Sequence, residues 1–363
     1  MAKRSGSKKF KSILFRFMVA LIILGFIAFI FCADKNLTPI EAAKYLIGQI
    51  DLPELPDMPQ LPEMPHLSQL VGSDIFGSPS PEPSISSPPS PDETPGFASG
   101  EIMQKSGMHA YILDVGQGSC VFLRSPGGYT MLIDTGESSY YSVIEAFLKS
   151  QGVDKLDVLV ATHPHSDHIG SMAKIIKKYE IGAFYMPNVT YTTAQYESMI
   201  SALEKKQVYT VAAYGGKDST IPWDPLVSVN VLSPIKGVTY EAMNNVSIVL
   251  RIAYGDTAIL LPGDAEAFAE ETILSKLPRS SFNSSVLFLG HHGSASSTSD
   301  AFLQAVNPSL AIASAGKGNT FGHPSGAVLE KLDRLGIPYY RTDENGTVHV
   351  LLTGKKVQVE TER

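Results

Sequence analysis

The distribution of proline constrains the fold of this chain more than any other feature of its sequence. Twelve of the 24 prolines fall between Pro53 and Pro95. Proline fixes φ and removes a backbone donor, so a segment this rich in proline favours extended polyproline II and cannot build a core. We therefore predict that residues 34–107 are a Pro/Ser-rich disordered spacer and that the folded part lies after it.

A basic tail followed by an apolar run precedes this spacer. Residues 1–33 contain six Lys and Arg residues and no acidic residue, and Phe17 to Cys32 carries no charge. With the few residues before it, this run is just long enough to cross a bilayer. The excess of positive charge before it predicts a cytoplasmic tail over residues 1–12 and a signal anchor, or transmembrane helix, over 13–33.

Two alternatives to an uncleaved anchor are a cleaved signal peptide and a lipoprotein. Phe31 stands where signal peptide cleavage before Asp34 would need a small residue. The same bulky side chain lies directly before Cys32, where a lipoprotein also needs a small residue. We therefore expect a single-pass protein of the cell membrane whose catalytic domain is extracellular, with a secreted protein as the alternative.

Charge and composition exclude two broad classes of protein. A charged fraction of 18% and a mean hydropathy of +0.04 exclude a polytopic channel. The net charge is −7, to which residues 1–33 contribute +6 and residues 34–100 contribute −8, so residues 101–363 carry −5. A globally basic surface for nucleic acid is therefore not expected, although a local basic groove is compatible with this balance.

Short apolar stretches separated by glycine turns begin at residue 108. Strands are predicted at 109–115, 119–124, 129–134, 157–162, 247–254, 257–261 and 285–289, and helices at 139–150 and 265–276. Pairs of strands alternate with helices in two similar halves, which is typical of two packed mixed sheets covered by helices. We predict that residues 108–363 form one α/β domain, a four-layer αββα sandwich.

Four potential metal ligands follow the strand predicted at 157–162. They are His163, His165, Asp167 and His168. Imidazole and carboxylate groups suit Zn, Mn or Fe, and a concentration of them where a hydrophobic strand ends is typical of neither a core nor a solvated surface. The sequence therefore predicts a metal site at this strand end.

This His-x-His-x-Asp-His pattern resembles the signature of the metallo-β-lactamase superfamily. The resemblance implies that Asp264, after the strand at 257–261, bridges two ions, and that one of His291 and His292 completes the site. No histidine lies between His168 and His291, where the superfamily has another ligand. Asn245 and Ser247 stand there instead, and we expect them to form loop structure or to contact substrate.

Within the superfamily, the chain resembles the C-terminal hydrolase domain of the ComEC family of DNA-uptake proteins. The matching segments are Leu113-Asp114-Val115-Gly116-Gln117-Gly118, Leu132-Ile133-Asp134-Thr135-Gly136, Asn245-Val246-Ser247-Ile248-Val249-Leu250-Arg251, His291-His292-Gly293-Ser294, Asn319-Thr320-Phe321-Gly322-His323-Pro324 and Tyr340-Arg341-Thr342-Asp343. Together they cover almost all of residues 108–350. The sequence departs from that family at Ser119-Cys120, where an acidic residue is usual, and at His165, where Asp is frequent.

The resemblance implies a hydrolase with two divalent metal ions, Zn²⁺ or Mn²⁺, that activate a water. The first ion would be held by His163, His165 and Asp264. The second would be held by Asp167, His168, Asp264 and His292, and the opposite assignment of His291 and His292 stays open. Asp167 is also expected to orient the attacking water. His291 is then a phosphate contact or a general acid, and His323 is expected to contact a phosphoryl oxygen, with a plain capping turn as its alternative.

Several functions remain in competition at this point. The resemblance implies a phosphodiesterase or nuclease with DNA, or another phosphodiester polymer, as substrate, and a membrane contact through the N-terminal helix; the sequence names no protein partner. A surface phosphoesterase acting on a wall polymer or choline phosphate, and a lactonase, are alternatives within the hydrolases. A degenerate module that binds DNA or cell wall without catalysis is the alternative outside them.

Overall fold

The computed structural model of the chain describes residues 107–363. The predicted basic tail at 1–12, the predicted signal anchor at 13–33 and the predicted spacer, apart from its last residue, lie outside the described residues. Within residues 107–363, no helix combines the length and the apolar character needed to cross a membrane.

The first sheet has eight strands in the order β14-β13-β1-β2-β3-β4-β5-β6. These strands are β1 (Met108–Ile112), β2 (Val121–Arg124), β3 (Thr130–Ile133), β4 (Lys155–Val160), β5 (Glu180–Pro187), β6 (Thr210–Ala213), β13 (Val348–Leu352) and β14 (Val357–Thr361). Strands β3 to β6 run parallel, and the strands on the β1 side pair antiparallel. The sheet is therefore mixed, as the alternating pattern predicted.

The second sheet has six strands in the order β12-β11-β10-β9-β8-β7. These are β7 (Val227–Ser233), β8 (Val249–Tyr254), β9 (Thr257–Leu261), β10 (Val286–Phe288), β11 (Leu310–Ala313) and β12 (Tyr339–Arg341). Strands β9 to β12 are parallel, while β7, β8 and β9 pair antiparallel. Each half thus has a parallel region, whose strands all end at the same edge.

Helices flank both sheets. They are α1 (Tyr141–Ser150), α2 (Ser166–Ile169), α3 (Met172–Lys178), α4 (Ala194–Lys206), α5 (Ala267–Lys276), α6 (Asp300–Val306), α7 (Gly326–Arg334) and α8 (Thr342–Asn345). One buried cluster, with residues such as Ile112 and Leu250, lies between the sheets. A second joins the first sheet to α1, α3 and α4, and a third joins the second sheet to α5, α6 and α7. The predicted four-layer αββα arrangement is confirmed.

Several predicted strands are longer than the observed ones, and the reason lies in side-chain hydrogen bonds. Strand β1 ends at Ile112, because the Asp114 carboxylate accepts from the amide of Gly116 (3.2 Å), whose positive φ of 62° turns the chain. Strand β8 begins at Val249 and not at 247. The hydroxyl of Ser247 accepts from the amide of Asp264 at 3.1 Å, and its own amide donates to the carbonyl of Asn244 at 3.1 Å and so is not available to the strand ladder.

Candidate metal centre

The predicted ligands lie at the carboxyl ends of parallel strands from both sheets. His163, His165 and Asp167 follow β4 of the first sheet, whereas Asp264 follows β9 and His292 follows β10 of the second. In open parallel sheets, ligands bind outside the carboxyl ends of the strands. The fold therefore brings together residues that are about a hundred positions apart in the sequence.

The Asp264 carboxylate lies at the centre of this group. Its Oδ1 is 3.2 Å from His168 Nε2, and its Oδ2 is 3.7 Å from the Nε2 atoms of His163, His291 and His292. The residue is only 3% exposed. A buried carboxylate that faces imidazoles on every side has the position expected of a bridge between two ions, as the sequence analysis proposed.

Four of the predicted ligands have donor atoms within 4.8 Å of one another: Asp167, His168, Asp264 and His292. In this group, Asp167 Oδ2 lies 3.1 Å from His292 Nε2. These are the four residues that the sequence analysis assigns to the second ion. His163 and His165 lie beside them, with His163 Nε2 3.0 Å from His165 Nδ1, so that both nitrogens face the same space.

Hydrogen bonds at Nδ1 orient the buried imidazoles. His168 Nδ1 donates to Asp134 Oδ2 at 2.7 Å, and His292 Nδ1 donates to the carbonyl of Ser314 at 3.0 Å. The Thr162 hydroxyl donates to Asp134 Oδ2 at 2.7 Å, which leaves its oxygen to accept from His163 Nδ1 at 3.2 Å. In the neutral form that binds a metal ion, each ring carries its proton on Nδ1 and directs the lone pair of Nε2 to the centre.

Asp134 is thus a positioning residue and not a ligand. It is fully buried, has a positive φ of 59°, and accepts from the amide of Thr162 at 2.8 Å as well as from the two side chains. The turn Ile133-Asp134-Thr135-Gly136 favours this role over metal binding, and the hydrogen bonds of Asp134 confirm it. The identity of its partner has no local signal, since Asp134 and His168 meet only through the pairing of β3 with β4.

The charges of the centre are arranged to attract cations. Burial opposes ionisation of Asp264, but the imidazoles of His168, His292 and His163 outweigh it and hold the pKa of Asp264 well below its usual range. Burial also opposes a charge on His168, yet the carboxylates of Asp264, Asp134 and Asp167 raise the pKa of this imidazole well above its usual value. The negative potential of these carboxylates therefore favours a positive charge at the centre, either on an imidazole or on a bound cation.

The donor set fits divalent metal ions. His168 Nε2 is buried and has no hydrogen-bond partner, although Asp264 Oδ1 lies 3.2 Å away. An unpartnered imidazole nitrogen is costly to bury unless it binds an ion. Neutral imidazoles and ionised carboxylates are the ligands that Zn²⁺ and Mn²⁺ take in proteins.

The paired histidines after β10 differ in their surroundings. Both have a left-handed backbone, with φ of 50° for His291 and 57° for His292. His292 is 2% exposed, whereas the side chain of His291 is 23% exposed. His291 Nδ1 lies 3.2 Å from Ser296 Oγ and 3.4 Å from Glu266 Oε1. The geometry therefore favours His292 as the ligand and leaves His291 at the open side of the centre.

His323, for which the sequence predicts a contact with a phosphoryl oxygen, lies next to the paired histidines. Its ring centroid is 5.5 Å from that of His291. Gln117 Oε1 accepts from the amide of Gly316 at 3.1 Å, so the amide nitrogen of Gln117 faces His323 Nδ1 at 3.4 Å. Burial and the neighbouring His291 and His292 lower the pKa of His323. The neutral ring thus keeps its proton on Nε2, where it can donate to an anion.

The segment in which the superfamily has another histidine ligand forms a loop here. The side-chain oxygen of Asn245 accepts from the amides of Glu266 (3.0 Å) and Ala269 (3.3 Å), and Ser247 accepts from Asp264. Asn244 approaches His291 Nε2 at 3.5 Å. Of the two roles expected for Asn245 and Ser247, the structure shows the one in loop structure. Sequence reasoning did not identify Asn244 or Glu266 as neighbours of His291.

Comparison with known proteins agrees with this geometry. ComE operon protein 3 of Bacillus subtilis (strain 168) is 32% identical over 254 residues, which are 65% of this chain and 32% of that protein. Competence protein ComA of Neisseria gonorrhoeae is 33% identical over 65% of this chain and 31% of its own length. Recombination protein 2 of Haemophilus influenzae is 32% identical over 69% of this chain and 30% of its own length.

These relatives are much longer proteins, and the chain spans about a third of the length of each. The similarity therefore concerns about a third of each relative. The family model described as the metallo-beta-lactamase superfamily matches residues 113–317, which is more than half of the chain and includes every predicted ligand. The chain belongs to the metallo-beta-lactamase superfamily of metal-dependent hydrolases.

Proposed function

We propose that this protein is a metal-dependent phosphodiesterase that acts on DNA or a similar phosphodiester polymer. The observation that carries the proposal is a pair of imidazoles, His291 and His323, on the open side of the Asp264 centre. A substrate anion bound at the centre would meet hydrogen-bond donors there. The names of the relatives, which include a competence protein and a recombination protein, support DNA as the substrate class.

Two divalent ions, Zn²⁺ or Mn²⁺, would be held by the residues described above. His163, His165 and Asp264 would bind one ion; Asp167, His168, Asp264 and His292 would bind the other. When bound, such a pair lowers the pKa of a shared water and stabilises negative charge on a phosphoryl group.

Side chains of the protein would carry out the remaining steps. The second oxygen of Asp167 would orient the attacking water. His323 would donate from Nε2 to a phosphoryl oxygen and so fix the phosphate against the centre. His291, with Glu266 and Ser296 at Nδ1, would give a proton to the departing alkoxide. The buried rings of His168 and His292 are held by Asp134 and Ser314 and would not move during the reaction.

The first test is a phosphodiesterase assay. The full chain, stripped of metal with a chelator and reloaded with Zn²⁺ or Mn²⁺, is expected to hydrolyse bis-p-nitrophenyl phosphate, and elemental analysis should give two ions per chain. The stripped protein should be inactive. If the reloaded protein releases no nitrophenolate while it opens a lactone or cleaves a choline phosphate ester, the proposed reaction is wrong and one of the alternative hydrolases is correct.

We also propose that the apolar segment before residue 34 anchors the protein in the cell membrane and places the catalytic domain outside the cell. The basic tail and the residues before the possible cleavage site support this topology. Protease added to intact cells is then expected to release a fragment that begins in the proline-rich spacer, while residues 1–33 stay with the membrane fraction. Protection of the catalytic domain until the cells are lysed would contradict the orientation.

A further inference from the structure

A phenylalanine beside the metal centre projects into solvent. The Phe321 side chain is 69% exposed, the largest value among the exposed large hydrophobic residues of the part of the chain that the structure describes. A single exposed apolar side chain is common and needs no explanation by itself. Phe321 differs because the backbone around it is held rigidly and because its ring continues a row of rings that leads to the centre.

The loop that carries Phe321 is fixed by the side chain of Asn319. Asn319 Nδ2 donates to the carbonyls of Gly316, at 2.9 Å, and of His323, while its Oδ1 accepts from the amide of His323 at 3.0 Å. Gly318 and Gly322, on either side of this clamp, have φ of 66° and 70°, a backbone that favours glycine. These contacts constrain the backbone that carries Phe321, so a ligand would not have to order the loop.

The ring of Phe321 stacks on the ring of His323. Their centroids are 5.8 Å apart with an angle of 27° between the planes, and His323 lies over His292 at 6.3 Å and 22°. The three rings form a row from the buried ligand His292 to solvent. One face of Phe321 is directed to His323, and its high exposure leaves the rest of the ring open to a planar group next to the bound phosphate.

A cation lies on the same loop. Lys317 is exposed, and no carboxylate of residues 107–363 forms an ion pair with it. The segment from Gly316 to His323 carries no apolar side chain besides Phe321. A lipid or an apolar peptide would need a continuous hydrophobic patch, whereas one aromatic ring with one nearby cation suits a base and its phosphate.

We propose that Phe321 is a stacking platform for an unpaired base of a nucleic-acid substrate, with Lys317 at a phosphate of the same strand. The inference rests on the proposed function. It narrows the substrate class from phosphodiester polymers to nucleic acids with unpaired bases. In a duplex, each base is stacked on its neighbours, and removing it from the stack costs a few kcal/mol. The platform therefore selects single strands and frayed ends over intact duplex, and it does so without a broad basic surface, in agreement with the acidic charge of the domain.

The test measures binding and not turnover. The full chain, loaded with Zn²⁺, is titrated into a fluorescent single-stranded thymidine oligonucleotide whose phosphorothioate linkages are cleaved slowly, and the dissociation constant is taken from anisotropy. Phe321→Ala is expected to weaken binding about tenfold to a hundredfold, the usual range for one base on one aromatic ring. Phe321→Trp should bind like the natural protein. Its added fluorescence should be quenched by the oligonucleotide, against the background of the single natural tryptophan, Trp223.

Two controls separate stacking from loss of structure. Phe268, on α5, is also half exposed (50%), and Phe268→Ala should bind the oligonucleotide unchanged. An abasic oligonucleotide of the same length and linkage should bind the natural protein and Phe321→Ala equally. Lys317→Ala should weaken binding to both oligonucleotides and reduce the slope of log affinity against log salt concentration by about 0.7, the value for one phosphate of a single strand.

Each outcome decides between specific statements. Equal affinity of Phe321→Ala and the natural protein for the thymidine oligonucleotide would overturn the platform, and so would an equal loss for the abasic strand. A protein that hydrolyses bis-p-nitrophenyl phosphate but binds no oligonucleotide would refute the nucleic-acid substrate and leave the phosphodiesterase in place. Binding that depends on Phe321, without hydrolysis of any phosphodiester, would support the platform and refute the proposed reaction.

Discussion

Asp264→Ala is expected to lose both metal ions and essentially all hydrolysis. The carboxylate lies within 3.7 Å of four imidazole nitrogens, and it is the one side chain proposed to contact both ions. Its removal leaves the buried imidazoles of His163 and His168 with no shared anion, so the site loses its bridge and its central negative charge together. Metal content by elemental analysis and turnover of bis-p-nitrophenyl phosphate measure the effect.

The matched control is another aspartate of the same domain whose side chain lies away from the centre. Asp157, on β4, accepts from the amide of Thr130 at 2.8 Å and pairs with Lys155. Asp157→Ala is expected to keep two ions per chain. His163→Ala should mainly empty the first site. If Asp264→Ala folds, as circular dichroism would show, and still holds two ions, the proposed ligand set is wrong.

His292→Ala and His291→Ala are expected to fail in different ways. Removal of the buried ligand His292 should lower the metal content and reduce turnover of every substrate. Removal of His291 should leave both ions bound and slow mainly the departure of a poor leaving group. General acid catalysis contributes roughly 10²–10⁴-fold, and it matters least when the leaving group is already a stable anion.

The comparison therefore uses two substrates. His291→Ala should keep much of its activity on a p-nitrophenyl ester and lose far more on an alkyl phosphodiester such as DNA. The roles of the two histidines must be exchanged if His291→Ala empties the second site while His292→Ala keeps it filled. Full metal content and full activity in both variants would place neither histidine in the centre.

The residues that meet at the centre could be located from sequence because each follows an apolar strand closely. His163 to His168 form one short motif, and Asp264 and His292 each stand within four residues of a strand end. The strand pattern and the local cluster locate the first group, and the resemblance to the superfamily implies Asp264 and one of the paired histidines. The layer order could be predicted for a similar reason, since strands and helices alternate in the same way in both halves.

Other features depend on contacts between distant segments, which leave no local pattern. Strand β13 pairs with β1 across almost the whole domain, with Met108 opposite Leu352. Glu266 meets His291 because hydrogen bonds join the segment before α5 to the loop after β10, such as the one from the amide of His291 to the carbonyl of Gly263 at 3.0 Å. The exposure of Phe321 follows from the Asn319 clamp, and no rule of periodicity distinguishes an exposed phenylalanine in a loop from a buried one.

The division of the ligands between the two sheets has a thermodynamic consequence. His168 comes from one half and Asp264 from the other, so an ion bound by both would cross-link the chain across a loop of roughly a hundred residues. Such a link removes configurational entropy from the unfolded chain, and an ion that binds only the native state adds its own binding free energy to folding. Cations bound at this centre would thus stabilise the folded domain reversibly. The free energy of unfolding would depend on the concentration of metal ions, as the hydrolytic activity would.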